Sequence, residues 1–148
     1  MKRVDVLKIS YYPPNKGYAV MLQEVEGEQR QVPIIVGSNE AQAIAMAIEG
    51  IEMPRPMTHD LIIDVLENLD GEINRVIISR ISNGTFYAEI EVSNPHSAEM
   101  IIDSRPSDAI AIALRTLTPI YISDEVMDSA GIENYLSKNQ ESHGSIII

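Results

Sequence analysis

A histidine, an aspartate and an arginine lie close together at residues 53–60 of the sequence. Arg55 stands between two prolines, which make a stiff loop, and His59 and Asp60 follow in the first turn of a predicted helix. An imidazole exchanges a proton near neutral pH, and the free N–H groups at a helix N-terminus favour a phosphate. We therefore predict His59 and Asp60 as catalytic residues and Arg55 as a phosphate-binding residue. The alternative is a capped loop in which Asp60 only faces the helix dipole and His59 bonds locally.

A second polar group lies at residues 103–108, where a predicted strand ends and a helix begins. Asp103 and Asp108 flank an Arg-Pro turn at Arg105. Carboxylate oxygens suit Mg²⁺ or Mn²⁺, and a guanidinium can bind a phosphate through two parallel N–H bonds. We predict Asp103 and Asp108 as metal ligands, Asp108 also as a catalytic residue, and Arg105 as a phosphate-binding residue. The alternative is an internal salt bridge between Arg105 and an aspartate.

Glu40 lies in the turn at residues 37–40, which resembles the turn at 103–108 in the second half of the chain. We predict Glu40 as a third metal ligand. The alternative is that its carboxylate only interacts favourably with the positive end of a helix dipole. The chain has no cysteine, so carboxylates and His59 are the ligands that remain for Mg²⁺ or Mn²⁺. The sequence contains no Walker A motif, no G-x-G-x-x-G, no G-x-S-x-G and no H-E-x-x-H. A nucleotide-binding loop, a nucleophile elbow and a zincin helix are thereby excluded.

The net charge limits the partners. Eleven Lys and Arg residues against 22 Asp and Glu residues give a formal charge of −11 over 148 residues. Binding of long nucleic acids depends on many Lys and Arg contacts with phosphates, so we expect RNA or DNA to be held weakly, locally and in a salt-sensitive way. No signal segment and no stretch near the roughly 20 apolar residues of a spanning helix is present, which predicts a cytoplasmic protein without a membrane partner.

Two segments resemble each other and predict the fold. Residues 33–48 align with residues 99–114 at a constant offset of 66 residues, each with an apolar triplet, a Ser-led turn and an Ala/Ile-rich helix. We predict an α+β fold with internal duplication of a three-stranded β unit followed by a buried helix, in a mixed or antiparallel sheet with packed helices. The predicted repeats, 4–70 and 74–131, lie in one domain, 1–133. Chance similarity of two Ala/Ile-rich helices is the alternative.

Turn and cap residues set the expected boundaries. Asn83-Gly84 predicts a tight hairpin, and Ser38 and Ser104 are the predicted N-caps of the two repeat helices. The first repeat helix is expected at 39–49 and a third helix from Thr58 to a stop at Gly71. A strand at 119–123 and a helix at 124–130 should follow. We expect the tail, 134–148, which ends in three isoleucines, to dock on its own domain or on a neighbouring subunit.

Four ordered stretches, at 35–45, 54–61, 84–88 and 103–111, closely resemble the bifunctional nuclease domain family. The resemblance runs from about residue 4 to residue 131. It implies a small cytoplasmic α+β domain, usually dimeric, with DNase and RNase activity credited to its members. Many bacterial members carry a further C-terminal UvrB/UvrC-type helical motif, which we do not expect here. The resemblance implies no settled catalytic set, so the site residues rest on the chemistry of the motif residues.

Three functions compete on this sequence. The first is a metal-assisted, homodimeric nuclease that hydrolyses phosphodiester bonds of RNA or DNA. The second is a non-catalytic dimeric regulatory or scaffold module that binds a small anionic ligand or a protein partner. In that case the charged residues of the motifs form a structural salt-bridge network. The third is an enzyme acting on a phosphorylated or carboxylated metabolite.

Overall fold

The computed structural model describes residues 1–133 and the backbone of 146–147, so most of the predicted tail lies outside the described residues. The strands and helices are β1 (Lys2–Tyr12), β2 (Gly17–Glu24), β3 (Gln31–Val36), α1 (Ser38–Glu49), α2 (Thr58–Asn68), β4 (Glu72–Ser82), β5 (Thr85–Asn94), β6 (Ser97–Ser104), α3 (Pro106–Thr116), β7 (Ile120–Ile122), α4 (Asp124–Ala130) and β8 (Ile146–Ile147). None of the described helices is long and apolar enough to span a membrane.

One mixed sheet contains all of these strands, in the order β3-β2-β1-β7-β4-β5-β6, with β8 beside β1. Every pairing is antiparallel except that between β4 and β7, which is parallel. The α+β class and the mixed sheet predicted from the sequence are therefore confirmed.

The two halves of the chain have the same order of elements on either side of β7. Each half is an antiparallel meander of three strands, β1-β2-β3 or β4-β5-β6, followed by a helix, α1 or α3. A duplicated unit would give this arrangement, and the duplication itself stays a prediction. The short β7 comes from the chain after α3 and fills the space between the two meanders.

The hairpin between β4 and β5 forms where Asn83-Gly84 predicted it. Both residues have positive φ, 52° and 77°, and Ser82 pairs with Thr85. Positive φ at both central residues is the requirement of a type I′ turn, which Asn and Gly meet at low steric cost. The register of β4 and β5, which line the floor of the candidate site, follows from this turn.

The two repeat helices differ in burial. In α3 the stretch from Ala109 to Ala113 is buried, because α3 packs against α1, α2 and the strands β4 and β5. In α1 only Ala41 and Ile44 are fully buried. The buried helix predicted for each repeat is thus found in the second half, whereas α1 covers α3 from outside and keeps one side open to solvent.

Three predicted helix boundaries were wrong by one residue. The N-cap positions are occupied by Gly37 and Arg105, whereas Ser38 is the first residue of α1 and Ser104 ends β6. Pro106 explains the second case: a proline without an N–H and with φ fixed near −65° suits the first helical position, so the cap falls on the residue before it. After α2 the left-handed position is taken by Asp70 (φ 59°) rather than by Gly71.

The remaining boundaries agree closely with the prediction. Gly50 ends α1 in the left-handed conformation, with φ 65°, and α2 begins at Thr58. The strand expected at 119–123 is β7, and α4 spans 124–130 as predicted. Turn and cap chemistry therefore defines these ends well where a glycine or a hydroxyl residue stands at the boundary itself.

Candidate active site

A cleft of about 970 Å³ lies between the helices and the second meander of the sheet. This volume is at the upper end of what small-molecule sites in proteins occupy. Its walls and floor are formed by apolar side chains of α2, β4, β5, β6 and α3, among them Ile62, Val65, Ile90 and Ile112. One end is polar instead and is lined by these residues: Asn39, Glu40, Thr58, His59, Asp103, Ser104, Arg105 and Asp108.

His59 and Asp108 meet at the polar end of the cleft, although 49 residues separate them in sequence. The distance from His59 Nε2 to Asp108 Oδ1 is 2.9 Å, and the His59 side chain is only 14 % exposed. His59 comes from the first turn of α2 and Asp108 from the first turn of α3. The packing of these two helix N-termini therefore assembles the pair.

Arg105 joins the same cluster from the N-cap position of α3. Its Nε donates to Asp108 Oδ2 at 2.9 Å, one Nη donates to Asp108 Oδ1 at 3.2 Å, and the other donates to Glu40 Oε1 at 3.3 Å. A guanidinium has five N–H donors, so one N–H on each Nη has no acceptor among these contacts. The Arg105 side chain is 63 % exposed, which leaves those donors accessible from solvent.

The charges of the cluster hold Asp108 in its ionised form. Partial burial works to raise the pKa of Asp108, but hydrogen bonds from Arg105 and His59 outweigh it, and the pKa lies below its usual range. The hydrogen bond to Asp108 in turn raises the pKa of Arg105. Asp108 is consequently an acceptor only. Nε2 of His59 is therefore the donor in this hydrogen bond, and a neutral imidazole that donates through Nε2 has its lone pair on Nδ1.

Asp60 faces away from this cluster and stabilises the helix packing. Its Oδ2 accepts a hydrogen bond from the backbone N–H of Met57 at 3.0 Å, and its Oδ1 lies 3.3 Å from Arg115 Nε. Arg115, 11 % exposed, also donates to the carbonyl oxygens of Ala111 at 2.9 Å and Ala43 at 3.1 Å. Arg115 thus connects α1, α2 and α3. Asp60 caps the start of α2, which is the alternative that the sequence offered to a catalytic role.

Two other predicted site residues, Arg55 and Asp103, make no bond to the pair of His59 and Asp108. Arg55 is exposed on the loop between α1 and α2, and none of the cleft walls includes it. Asp103 does line the cleft, but from the exposed strand β6, where it is paired in register with Glu89. Neither side chain makes a hydrogen bond or ion pair with a described residue. Hydrogen bonds and ion pairs therefore join His59, Asp108, Arg105 and Glu40, whereas Asp60, Asp103 and Arg55 take no part in these contacts.

The predicted metal ligands do not form a ready cation site. Within residues 1–133, no three His, Asp or Glu side chains are grouped so that they could hold a metal ion. Glu40 and Asp108 both point to the Arg105 guanidinium, which occupies the space between them. The donor set present among residues 1–133 therefore does not fit a preformed Mg²⁺ or Mn²⁺ centre.

Sequence reasoning missed Arg115 as a connecting residue and Asn39 as a lining residue. Arg115 follows Asp108 by seven residues, a spacing of two helical turns that places both on one face of α3. Asn39 precedes Glu40 at the start of α1 and lines the cleft beside it. The helical spacing was the available signal for Arg115, but the partner Asp60 on another helix gave no signal in the sequence.

Comparison with known proteins identifies relatives over most of the chain. The family model described as bifunctional nuclease domain matches residues 20–135. An uncharacterised protein of Mycobacterium tuberculosis is 39 % identical over 132 residues, which is 89 % of this chain and 77 % of that protein.

Plant relatives are more distant and longer. Bifunctional nuclease 1 of Oryza sativa subsp. japonica is 26 % identical over 83 % of this chain, and Bifunctional nuclease 2 of Arabidopsis thaliana is 27 % identical over 82 %. The matched region amounts to 40 % and 37 % of these two plant proteins.

Proposed function

We propose that this chain, which belongs to the bifunctional nuclease domain family, hydrolyses phosphodiester bonds of RNA or DNA at the polar end of its cleft. The observation that supports the proposal is the pair of His59 Nε2 and Asp108 Oδ1, 2.9 Å apart, beside a guanidinium with accessible donors. A histidine oriented by an ionised carboxylate is a common arrangement for proton transfer.

His59 acts as the general base in this proposal. Asp108 accepts a hydrogen bond from Nε2–H, so Nδ1 is free to take a proton from a water molecule. The water oxygen forms a bond to phosphorus while the P–O bond to the leaving nucleoside breaks, and the leaving oxygen receives a proton from solvent. Asp108 also stabilises the imidazolium that forms, as a carboxylate beside a catalytic histidine does.

Arg105 binds the phosphate that reacts. Its two remaining N–H donors, one on each Nη, are directed to the non-bridging oxygens, whereas Asp108 and Glu40 fix the guanidinium plane. Charge-assisted hydrogen bonds of this kind are stronger than neutral ones. Glu40 is in this view a positioning residue. Gly37 leaves the room for it, since a Cβ at Gly37 would lie 2.9 Å from Glu40 Oε2.

The polymer is held locally and weakly. Three formal negative charges, on Glu40, Asp103 and Asp108, stand against one formal positive charge, on Arg105, at this end of the cleft. Together with the chain's charge of −11, this leaves few cations for a long phosphate backbone, so binding of a long polymer should be weak. A cytoplasmic location belongs to the same proposal.

The test is a cleavage assay with labelled single-stranded RNA and DNA, run with Mg²⁺, with Mn²⁺ and with EDTA. We expect His59→Gln and Asp108→Asn to lower the cleavage rate by about 100-fold or more, since general acid–base catalysis contributes roughly 10²–10⁴-fold. His96→Gln is the matched control, because His96 is exposed in the β5–β6 turn, away from the cleft. Activity retained in EDTA would agree with the absence of a grouped ligand set among residues 1–133.

Two results would contradict the proposal. Equal cleavage by wild type, His59→Gln and Asp108→Asn would place the activity elsewhere or in a contaminant. No cleavage of either polymer under any metal condition would favour the second function, a non-catalytic module. That function is supported by one observation, the engagement of Arg105 and Arg115 in salt bridges with Asp108, Glu40 and Asp60.

A further inference from the structure

A second pocket, of about 360 Å³, adjoins the cleft. It lies between the end of β3, the beginnings of α1 and α3 and the tip of the β4–β5 hairpin, and its lining includes Gly37, Glu40, Thr85, Arg105 and Ser107. Glu40 and Arg105 line the cleft as well, so their ion pair lies on the border between the two spaces. This second space, here termed the α1–α3 pocket, takes no part in the proposed hydrolysis.

Both α1 and α3 begin at the α1–α3 pocket. Gly37 is the N-cap of α1 and Ser107 is the second residue of α3, and both line the pocket. The first N–H groups of a helix have no acceptor within it, and each helix N-terminus carries about half a positive charge. The formal charges of Glu40 and Arg105 cancel here, so the two helix ends leave the pocket favourable to an anion. At the polar end of the cleft, by contrast, three carboxylates stand against one guanidinium.

Ser107 gives evidence of a ligand that the helix ends alone do not give. This residue is only 7 % exposed, and its hydroxyl makes no hydrogen bond with any residue in the described part of the chain. A hydroxyl buried to this extent is ordinarily paired. Among the described residues, Gln31 Oε1 is the one side-chain polar atom that is both fully enclosed and unpaired, so the Ser107 oxygen keeps access to the pocket. Its missing partner is therefore expected inside the pocket.

We propose that the α1–α3 pocket binds a phosphate monoester, with the Ser107 hydroxyl and the first N–H groups of α1 and α3 as donors. A phosphate monoester carries about 1.5–2 negative charges and three strong acceptor oxygens, which match a site made of donors. Thr85 adds a second hydroxyl to the lining. The inference goes beyond hydrolysis and holds whether or not the chain is a nuclease, because it uses neither His59 nor the Asp108 carboxylate.

The size of the α1–α3 pocket limits what the phosphate is attached to. Its volume of about 360 Å³ is near the lower end of small-molecule sites, which span about 300–1,000 Å³. The pocket therefore accepts a phosphate with a small attached group, such as a sugar. Two sources offer this chemistry, a small phosphorylated molecule and the phosphorylated end of a nucleic acid strand.

The experiment titrates the isotope-labelled full-length protein with inorganic phosphate and follows the amide signals by NMR. We expect the largest shifts at Gly37, Gly84 and Ser107, and much smaller ones with acetate at equal concentration. Ser107→Ala removes a hydrogen bond to a charged group, so the phosphate affinity should fall about tenfold or more. His59→Gln should keep the wild-type affinity, because His59 does not line this pocket.

Thr85→Glu and Thr85→Gln are a matched pair that keeps the test valid if Ser107→Ala disturbs folding. Thr85 is exposed at the hairpin tip, so both variants should fold, which circular dichroism checks. Glutamate adds a negative charge to the lining, whereas glutamine has nearly the same size without the charge. We expect Thr85→Glu to bind phosphate about tenfold or more weakly than Thr85→Gln, because like charges would lie close together.

Three results would overturn the proposal. The first is a set of shifts confined to residues 58–60 and 103–104, which would place the phosphate in the cleft. The second is equal phosphate affinity of wild type and a folded Ser107→Ala together with equal affinity of the two Thr85 variants. The third is acetate binding as tight as phosphate binding. Phosphate binding in the pocket without cleavage of any polymer would instead contradict the proposed hydrolysis alone.

Competition with inorganic phosphate then identifies the source of the monoester. Displacement by a single-stranded DNA octamer with a terminal phosphate, but not by the same octamer with a terminal hydroxyl, assigns the pocket to a nucleic acid end. Displacement by ribose 5-phosphate and by neither octamer assigns it to a small phosphorylated molecule. Both results support the pocket as a phosphate monoester site.

Discussion

The carboxylate of Asp108 is the acceptor on which the polar cluster depends. It receives hydrogen bonds from His59 and from two nitrogens of Arg105, and these three contacts use both of its oxygens. An asparagine at this position would present an N–H₂ group to one of the two donors. An N–H₂ group at the Oδ1 position would lose the hydrogen bonds from His59 and from one Nη of Arg105, and one at the Oδ2 position would lose the bond from Arg105 Nε. Asp108→Asn should therefore disturb the phosphate-binding residue in either orientation, and the base in one of them.

A single substitution tests how much Arg115 contributes to the stability of the fold. Replacement by lysine keeps the charge but removes the planar fork that reaches Ala43, Ala111 and Asp60 together. We expect Arg115→Lys to lower the free energy of unfolding by about 1–3 kcal/mol, because a buried carbonyl oxygen loses its donor. Denaturation in urea measures the change.

Arg55→Lys is the companion variant, since Arg55 is exposed and its side chain makes no hydrogen bond or ion pair with a described residue. Its effect on the same measurement should stay within about 0.5 kcal/mol. A loss for Arg55→Lys equal to that for Arg115→Lys would argue against the connecting role of Arg115.

The sequence predicted much of the cluster but not its internal geometry. His59, Asp108, Arg105 and Glu40 stand out because polar residues at strand ends and helix starts interrupt an apolar background. Whether Arg105 binds a phosphate or the adjacent carboxylates depends on side-chain orientation, which residue spacing leaves open. Asp60 and His59 are neighbours in sequence, yet consecutive residues of a helix point about 100° apart, and only one of them faces the cleft.

Local chemistry determines several elements of this fold. Asn83-Gly84 and the 124–130 helix follow directly from turn and cap residues, which act over a few positions. The position of β7 between the two meanders follows from pairings of Ile120 with Val4 and Val76, far apart in the chain. No local pattern encodes such contacts, so the sheet order was beyond prediction from the sequence.

Gly17 provides a test at the scale of the strands. It begins β2, where a Cβ would lie 2.6 Å from the carbonyl oxygen of Val36 on β3. Gly17→Ala should therefore push the two backbones apart and destabilise the protein by about 1–3 kcal/mol, as overpacking typically does. Thermal unfolding followed by circular dichroism would show a lower midpoint.

Gly27→Asn is the comparison for this variant. Gly27 has open space around its Cα and a φ of 78°, which asparagine tolerates better than most residues. A small change is expected there. Equal midpoints for Gly17→Ala and wild type would mean that β2 and β3 can separate without cost.

At the scale of the whole molecule, acid should destabilise the fold. A hydrogen bond from Arg75 Nε lowers the pKa of Glu91. Burial works to raise the pKa of Glu24, but hydrogen bonds from Arg30 outweigh it and the net pKa is also lowered. Both carboxyls therefore bind a proton less readily in the folded chain than in the unfolded one, whose glutamates titrate near 4.5. Their stabilising contribution is present above that pH and is lost as the pH falls through the lower folded values.

The measurement is the free energy of unfolding between about pH 3 and pH 7. Wild type should lose stability below about pH 4.5, and Glu24→Gln should lose less over the same interval, because one titrating group has been removed. The buried Glu24 side chain is 3 % exposed, so salt should alter this difference little. Parallel curves for the two proteins would show that Glu24 does not contribute to the acid sensitivity.

The place of β7 in the sheet also bears on how the protein is made. Lys2 of β1 pairs with Ile122 of β7. The first strand to be synthesised therefore has no partner on this side until β7, near the end of the described chain, has been made. At about 5–20 residues per second, a ribosome needs on the order of ten seconds to deliver that partner. During this interval the free side of β1 is an open template for another nascent chain. Lys2, Arg3, Asp5 and Lys8 place charges along it, a pattern that discourages strand pairing between chains.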